Sequence, residues 1–409
     1  MKKQHMAARE NCCPGNPRVQ RVAAFHAMRR DQRTAGTIGR FLLLLSFAVC
    51  ITILPCYASV TAVTLHSPDL SANGTNNLTT PIHFQATAES DLTITGYVVY
   101  VDGENVFQNA VPLLDAWVVL EPGTSHSLYV KAWDSSGAAF STQTYQITIS
   151  GAAAPVPPTT ATRMLELDAS SSWVVDNNLN VGGTCNDGGI GQFQNPSDPN
   201  TANAPDFRAT GKHFIVHSKC QYDDSLFYLS VGGTQYSGVT NFLWDFWFYI
   251  PTTTKASDVQ ALEFDLYQAI QLNDGVHEFM FGSQCDYATN QWQNWLPKNG
   301  KLTWINVGLS PCQFSTGVWH HATYFLQRVA STGYQEIPSK FGPSTDNNKS
   351  LRFGTLTIDG NTMYLGGLSG STIPSPPWSP TLGVQHQLDS AVSGVTIEQY
   401  ADDETLTVW

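Results

Sequence analysis

The chain has 409 residues, with 21 Lys and Arg against 33 Asp and Glu, for a formal charge of −12. Nine of the basic groups lie in residues 1–58, which leaves residues 59–409 with 12 basic and 31 acidic groups, a net −19. So acidic a body excludes nucleic acid as the main partner, because phosphate contacts need Lys and Arg; a charged fraction of 13 %, against a usual ~25 %, argues against coiled coils, helical bundles and charged disordered tails.

Phe41 to Leu54 reads FLLLLSFAVCITIL, 14 residues without a charge. A membrane-spanning helix needs about 20. With basic residues before it and Cys56-Tyr57-Ala58 after it, the run fits the apolar core of a signal peptide cleaved after Ala58. Residues 1–58 are therefore assigned to a signal segment, and Met28-Arg29-Arg30 would open one of ordinary length. A membrane anchor is the competing reading. The expected localisation is secreted, in the periplasm or at the cell surface, with no stable membrane span in the mature chain.

Of the eight cysteines, Cys12, Cys13, Cys50 and Cys56 fall in this segment and Cys185, Cys220, Cys285 and Cys312 remain. An even number in an exported chain predicts two disulfides. Three connectivities are open; Cys185–Cys220 with Cys285–Cys312 closes two local loops. A zinc site competes, although no pair has the C-x-x-C spacing.

Residues 59–150 alternate short apolar runs with turn signals: Val60–Leu65, Ile82–Ala88, Gly96–Val101, Trp117–Leu120, Ser127–Trp133 and Thr144–Ile149 read as strands, punctuated by Ser67-Pro68, Asp102-Gly103, Pro122-Gly123 and Ser136-Gly137. Six or seven strands in about 90 residues predict a two-sheet sandwich. The stretches YVVYVDGENVF and LEPGTSHSLYVKAWDSSG resemble bacterial immunoglobulin-like modules, which implies a spacer or adhesive role. Residues 151–162 (GAAAPVPPTTAT) predict a stiff extended linker.

Residues 163–409 carry longer strand-like runs, including His213–Val216, Leu226–Val231, Asn241–Ile250, Gln260–Leu272, His277–Phe281, Lys301–Val307, Trp319–Arg328, Leu351–Ile358, Asn361–Leu365 and Gly394–Tyr400. They predict two stacked antiparallel sheets of jelly-roll type, so the fold class is all-β: a small sandwich followed by a larger one. The runs NFLWDFWFYI, ALEFDLYQ, GVWHHATYFLQR and LTIDGNTMYL resemble the concanavalin A-like lectin/glucanase fold. Trp319-His320-His321 with the later Asp359-Gly360 hairpin is similar to the laminin G-like pattern.

Glu263-Phe264-Asp265-Leu266-Tyr267-Gln268 resembles the E-x-D-x-x-E strand of laminarinase-type glucanases. That strand implies Glu263 as nucleophile and Asp265 as its tuning partner. Gln268 stands where those enzymes place the general acid, and an amide cannot supply that proton. Residue 268 joins the face of 263 and 265 only across a bulge. Glu278 is the alternative second carboxyl.

The same polar row, followed by Gln284, Asp286, Tyr287, Asn290, Trp292, Asn294, Trp295, Trp304 and Asn306, suits sugar binding through hydrogen bonds and ring contacts. Glu263, Asp265, Gln268, Gln284, Asp286, Trp292 and Trp295 are the expected glycan contacts. No cofactor is expected; Asp168 and Asp389 are the candidate ligands of a structural calcium ion. The leading reading is an exported glycan-binding protein with an immunoglobulin-like spacer. The alternatives are an atypical β-glucan hydrolase using Glu263, with Asp265 and Glu278, and an adhesive surface protein that binds another protein.

Overall fold

Val, Ile, Tyr, Phe, Trp and Thr suit a pleated, half-buried surface, and alternation of apolar with polar residues decides how the strands pack. The computed structural model describes residues 60–177, 188–194, 210–298, 301–309, 312–328, 351–369, 373–374 and 379–409. The leader segment, its expected cleavage site and Cys185 lie outside them. Among the described residues there is no α-helix, only the 3-10 turns Thr234–Tyr236 and Ala256–Asp258 between strands. No helix is long and apolar enough to cross a membrane among them.

The N-terminal sandwich stacks a three-stranded sheet on a six-stranded one. The smaller sheet runs Ala62–Ser67, Ile82–Glu89, Leu114–Val118; the larger runs Thr75–Thr80, Tyr145–Ala152, Ser125–Asp134, Ile94–Val101, Glu104–Asn109, with Ala139–Ser141 added on Ser125–Asp134. Phe84, Tyr97, Val99, Val130 and Ile147 fill the space between them. Asp102 and Gly103, at φ 54° and 84°, make the tight hairpin between Ile94–Val101 and Glu104–Asn109, the turn that an Asp-Gly pair favours because both residues need positive φ.

The C-terminal sandwich is larger. One sheet has the order Gly188–Gln194, Thr210–His217, Thr396–Val408, Asn241–Tyr249, Trp319–Arg328, Leu351–Ile358, Asn361–Ser369. Thr162–Met164 adds to Thr396–Val408 and makes it eight-stranded. The other has the order Val174–Asp176, Asp224–Gly232, Thr381–Ser390, Val259–Leu272, Ser283–Asp286, Gln291–Lys298, Lys301–Asn306, and gains Gly275–Phe281 and Ile373–Pro374 to make nine. Their facing sides supply one core, from Phe242, Trp244, Phe246 and Phe248 on one sheet to Leu262, Phe264, Leu266 and Phe281 on the other. The Cys285–Cys312 disulfide, with a Cα separation of 5.4 Å, sits in this core. Cys220 is also disulfide-bonded.

A polar cluster interrupts that core. Glu404 donates its backbone N–H to Asp168 Oδ1 at 2.8 Å, and Trp244 donates Nε1–H to Glu404 Oε1 at 2.8 Å. Lys212 and His386 are buried beside them. Burial, with the charges of Glu404 and Asp402 adding to it, pushes Asp168 up to about 8, and burial pulls Lys212 down. Asp168 thus ties the start of this sandwich to its last strand. It does not meet Asp389, which lies on the other side of the nine-stranded sheet, so the two do not form the calcium pair expected from their positions near the chain ends. Among the described residues no group of three or more His, Cys, Asp or Glu is arranged to hold a metal ion.

The two sandwiches touch. Trp117 and Val119 pack on Phe325, with Leu243, Tyr364 and Trp409 around them. Gln327 donates Nε2–H to the Trp117 carbonyl at 2.9 Å. The connecting segment carries a buried Pro155 and an exposed Val156.

Candidate functional site

The Val259–Leu272 strand lies in the middle of the nine-stranded sheet, and its alternation decides what each face displays. Leu262, Phe264, Leu266 and Ile270 enter the core. Glu263, Asp265, Tyr267 and Ala269 therefore point to the opposite, outer face. Pairing with Thr381–Ser390 runs without a shift from Ala261 to Ala269. Glu263 stands opposite Gln387 on one side and Gln284 on the other, and Asp265 stands opposite Gln385.

These register partners bond to one another. Gln387 Nε2 donates to Glu263 Oε1 and to Asp389 Oδ1, both at 2.9 Å. Gln385 Nε2 donates to Asp265 Oδ2 at 2.7 Å, and the Ser283 N–H donates to Asp265 Oδ1 at 2.9 Å. The Gln387 amide thus bridges Glu263 and Asp389.

Burial sets the electrostatics. Glu263 and Asp265 are only 3 % and 4 % exposed. Burial, then the charges of Asp389 and Asp265, holds Glu263 well above the usual carboxylate range. Burial also pushes Asp265 to about 7, against the hydrogen bonds from Gln385 and Ser283. Asp389 rises to about 7 through burial and the nearby Asp224 charge. Glu278 is on the same face, opposite Ala269, and burial takes it to about 7.

Toward the other edge the face changes from carboxyls to amides and rings. Gln284 Nε2 donates to Gln293 Oε1 at 2.6 Å, and Gln293 Nε2 donates to Asp286 Oδ2 at 2.8 Å. Trp295 shares the parity of Gln293 and pairs with Trp304, and their rings meet at 5.0 Å and 60°. Both rings are half-buried. Gly282 lies beneath them: a Cβ there would meet Trp295 Cβ at 2.8 Å and the Trp304 ring at 3.3 Å. The missing side chain lets this aromatic corner seat itself on the sheet.

Glu263, Asp265, Gln284 and Trp295 are thus brought to one face, with Asp286 attached through Gln293. Two expected contacts are not on it. Gln268 lies on the core side, because no bulge interrupts the register between Glu263 and Gln268, and it donates to the Tyr236 and Val239 carbonyls at 2.8 and 3.2 Å. Trp292 pairs with Cys285, shares its inward direction and is 1 % exposed, near Phe264 and Phe314; it is core and cannot offer a ring to a ligand. Asp286 mainly closes the 287–290 turn, accepting from Ala288 N–H and Thr289 Oγ1. Gln385, Gln387 and Gln293 escaped the sequence reading. The signal for Gln385 and Gln387 is the period-two pattern LGVQHQLD, whose inward set contains a histidine.

No family model matches this chain, and no curated protein does. Among solved structures it is similar to a carbohydrate-binding module of the β-sandwich superfamily, at 13 % identity and TM-score 0.26 over 85 % of this chain and 96 % of that one. It is similar to a carbohydrate esterase from the Shiga toxin-encoding bacteriophage phi24B, at 13 % identity and TM-score 0.32 over 61 % and 98 %. A third is lectin I from Ulex europaeus in complex with the methyl glycoside of α-L-fucose, at 10 % identity and TM-score 0.28 over 61 % and 98 %.

Proposed function

We propose that the outer face of the nine-stranded sheet binds a glycan, and that the chain is an exported binding protein whose N-terminal, immunoglobulin-like sandwich positions it. The observation that carries this is the half-buried Trp295–Trp304 corner with the Gln293 amide beside it on the same face. Amides offer both donors and acceptors to hydroxyl groups, and indole faces cover the C–H side of a sugar ring.

Glu278 does not complete a glycosidase pair with Glu263. Paired glycosidase carboxyls stand about 5–9.5 Å apart. Glu278 sits at the level of Ala269, six residues along the strand from Glu263, which is about 20 Å at ~3.3 Å per residue.

In a glycan-array screen followed by titration, Trp295→Ala and Trp304→Ala should each weaken binding by about 1–2 kcal/mol. A reducing-sugar assay on natural β-glucans should show no turnover. Unchanged affinity in both folded variants would remove the platform, and brisk hydrolysis by wild type would favour the enzyme reading.

A further inference from the structure

The outer face of the eight-stranded sheet is divided. One end, with Leu243, Phe325 and Tyr364, is covered by Trp117 and Val119 of the N-terminal sandwich. The other end carries a second set of rings. His213 stacks on Tyr400 at 4.0 Å and 7°, and Tyr249 lies 5.9 Å from Tyr400 and 5.4 Å from Trp319. Two residues along, Trp247 stacks on its cross-strand partner His321 at 4.7 Å and 14°.

A depression of about 660 Å³ opens here, lined by Trp247, Trp319, His320, His321, Asp359 and Gly360. The Asp359-Gly360 turn forms one side. Asp359 accepts from the His321 N–H at 2.9 Å and from His320 Nδ1 at 2.7 Å, which anchors the turn against the strand. His321 Nε2 meets Asp245 Oδ1 at 3.0 Å. The volume falls in the range of small-ligand sites, about 300–1,000 Å³.

We infer that this depression is a second carbohydrate site, in which a neutral pyranose ring lies against Trp247 and gives hydroxyl hydrogen bonds to Asp359. The surroundings select that class. Asp245, Asp359 and Asp403 act together on His321 and disfavour phosphates and other anions. An apolar ligand would strip water from Asp359, which is 45 % exposed, without replacing its hydrogen bonds. A polyhydroxy ring supplies both an apolar face and hydroxyl donors. The site lies across the core from Glu263, and it stands on its own residues whether or not the first face binds.

The test titrates the full mature chain with cellobiose, laminaribiose, lactose and maltose, following indole fluorescence and heat. Wild type should bind at least one of them. Trp304→Ala should keep the site at Trp247. In that background, Trp247→Ala and Asp359→Asn should each lower affinity at least tenfold, with an unchanged unfolding midpoint. Asn tolerates the positive φ of 50° at position 359, so that variant does not rest on a strained turn. Absence of binding to all four sugars in Trp304→Ala, or unchanged binding in the Trp247 and Asp359 variants, overturns the proposal. Binding of tetramethylammonium with no sugar bound would also overturn it and make the site a cation cage.

Discussion

Trp244→Ala should destabilise the C-terminal sandwich by about 4–8 kcal/mol. The indole is fully buried, 4.4 Å from Phe246 and 5.2 Å from His386, and truncating such a ring costs about 3–5 kcal/mol through lost contacts and the cavity left behind. A further ~1–3 kcal/mol comes from leaving Glu404 Oε1 without its indole donor inside the core. A total stability of about 5–15 kcal/mol is usual, so this one change should bring the sandwich close to unfolding. Trp244→Phe keeps most of the volume and removes the hydrogen bond, and should cost less than half as much. Urea unfolding of both variants checks the pair of values. A loss below about 1.5 kcal/mol for Trp244→Ala would show that the cluster relaxes around the gap.

Acidification should stabilise the protein over the range where most proteins are flat. Glu263, Asp265, Glu278, Asp389, Asp168 and Asp402 all have folded-state values raised above those of an unfolded chain, with five of them between about 6 and 8. A carboxyl raised in this way binds its proton more tightly when folded. Its stabilising contribution is complete below about pH 4 and is lost as the pH rises through the folded value. His213, lowered by burial, works in the opposite direction below about pH 6, and one group does not outweigh six. The melting temperature at pH 5.5 should exceed that at pH 8 by about 5 °C. Glu263→Gln, which cannot ionise, should raise stability at pH 8 and change little at pH 5. A melting temperature that climbs with pH in wild type would refute this account of the outer face.

Much of this architecture was legible in the chain. The runs around Phe242–Phe248 and Leu262–Leu266 alternate cleanly, and Asp102-Gly103 and Asp359-Gly360 each marked a hairpin, because backbone conformation there is dictated locally. Glu263 and Asp265 were legible as a pair because two residues along a strand always share a face. Gln268 and Trp292 show where local reading stops. The direction of Gln268 depends on whether a bulge intervenes, and that is decided by pairing with Thr381–Ser390, more than 100 residues away. Trp292 sits among Gln291, Gln293 and Asn294, so its neighbours suggest exposure; its pairing with Cys285 sends it inward. The Thr381–Ser390 strand hid because a buried histidine stands in its apolar series, and with it hid the two glutamines that bind Glu263 and Asp265.

The position of Thr396–Val408 has a consequence for biogenesis. This strand, the last of its sandwich in chain order, lies between Thr210–His217 and Asn241–Tyr249 in its sheet. Until it leaves the ribosome, both neighbours present open edges of unpaired backbone, the kind of surface that recruits other chains. Glu404, which must reach back 236 residues to Asp168, cannot close the core earlier. The larger sandwich therefore has to be kept from aggregating through nearly all of its translation. A chain stalled or cut before residue 396 should accumulate as insoluble material, while the N-terminal sandwich, complete by residue 152, already has its own core.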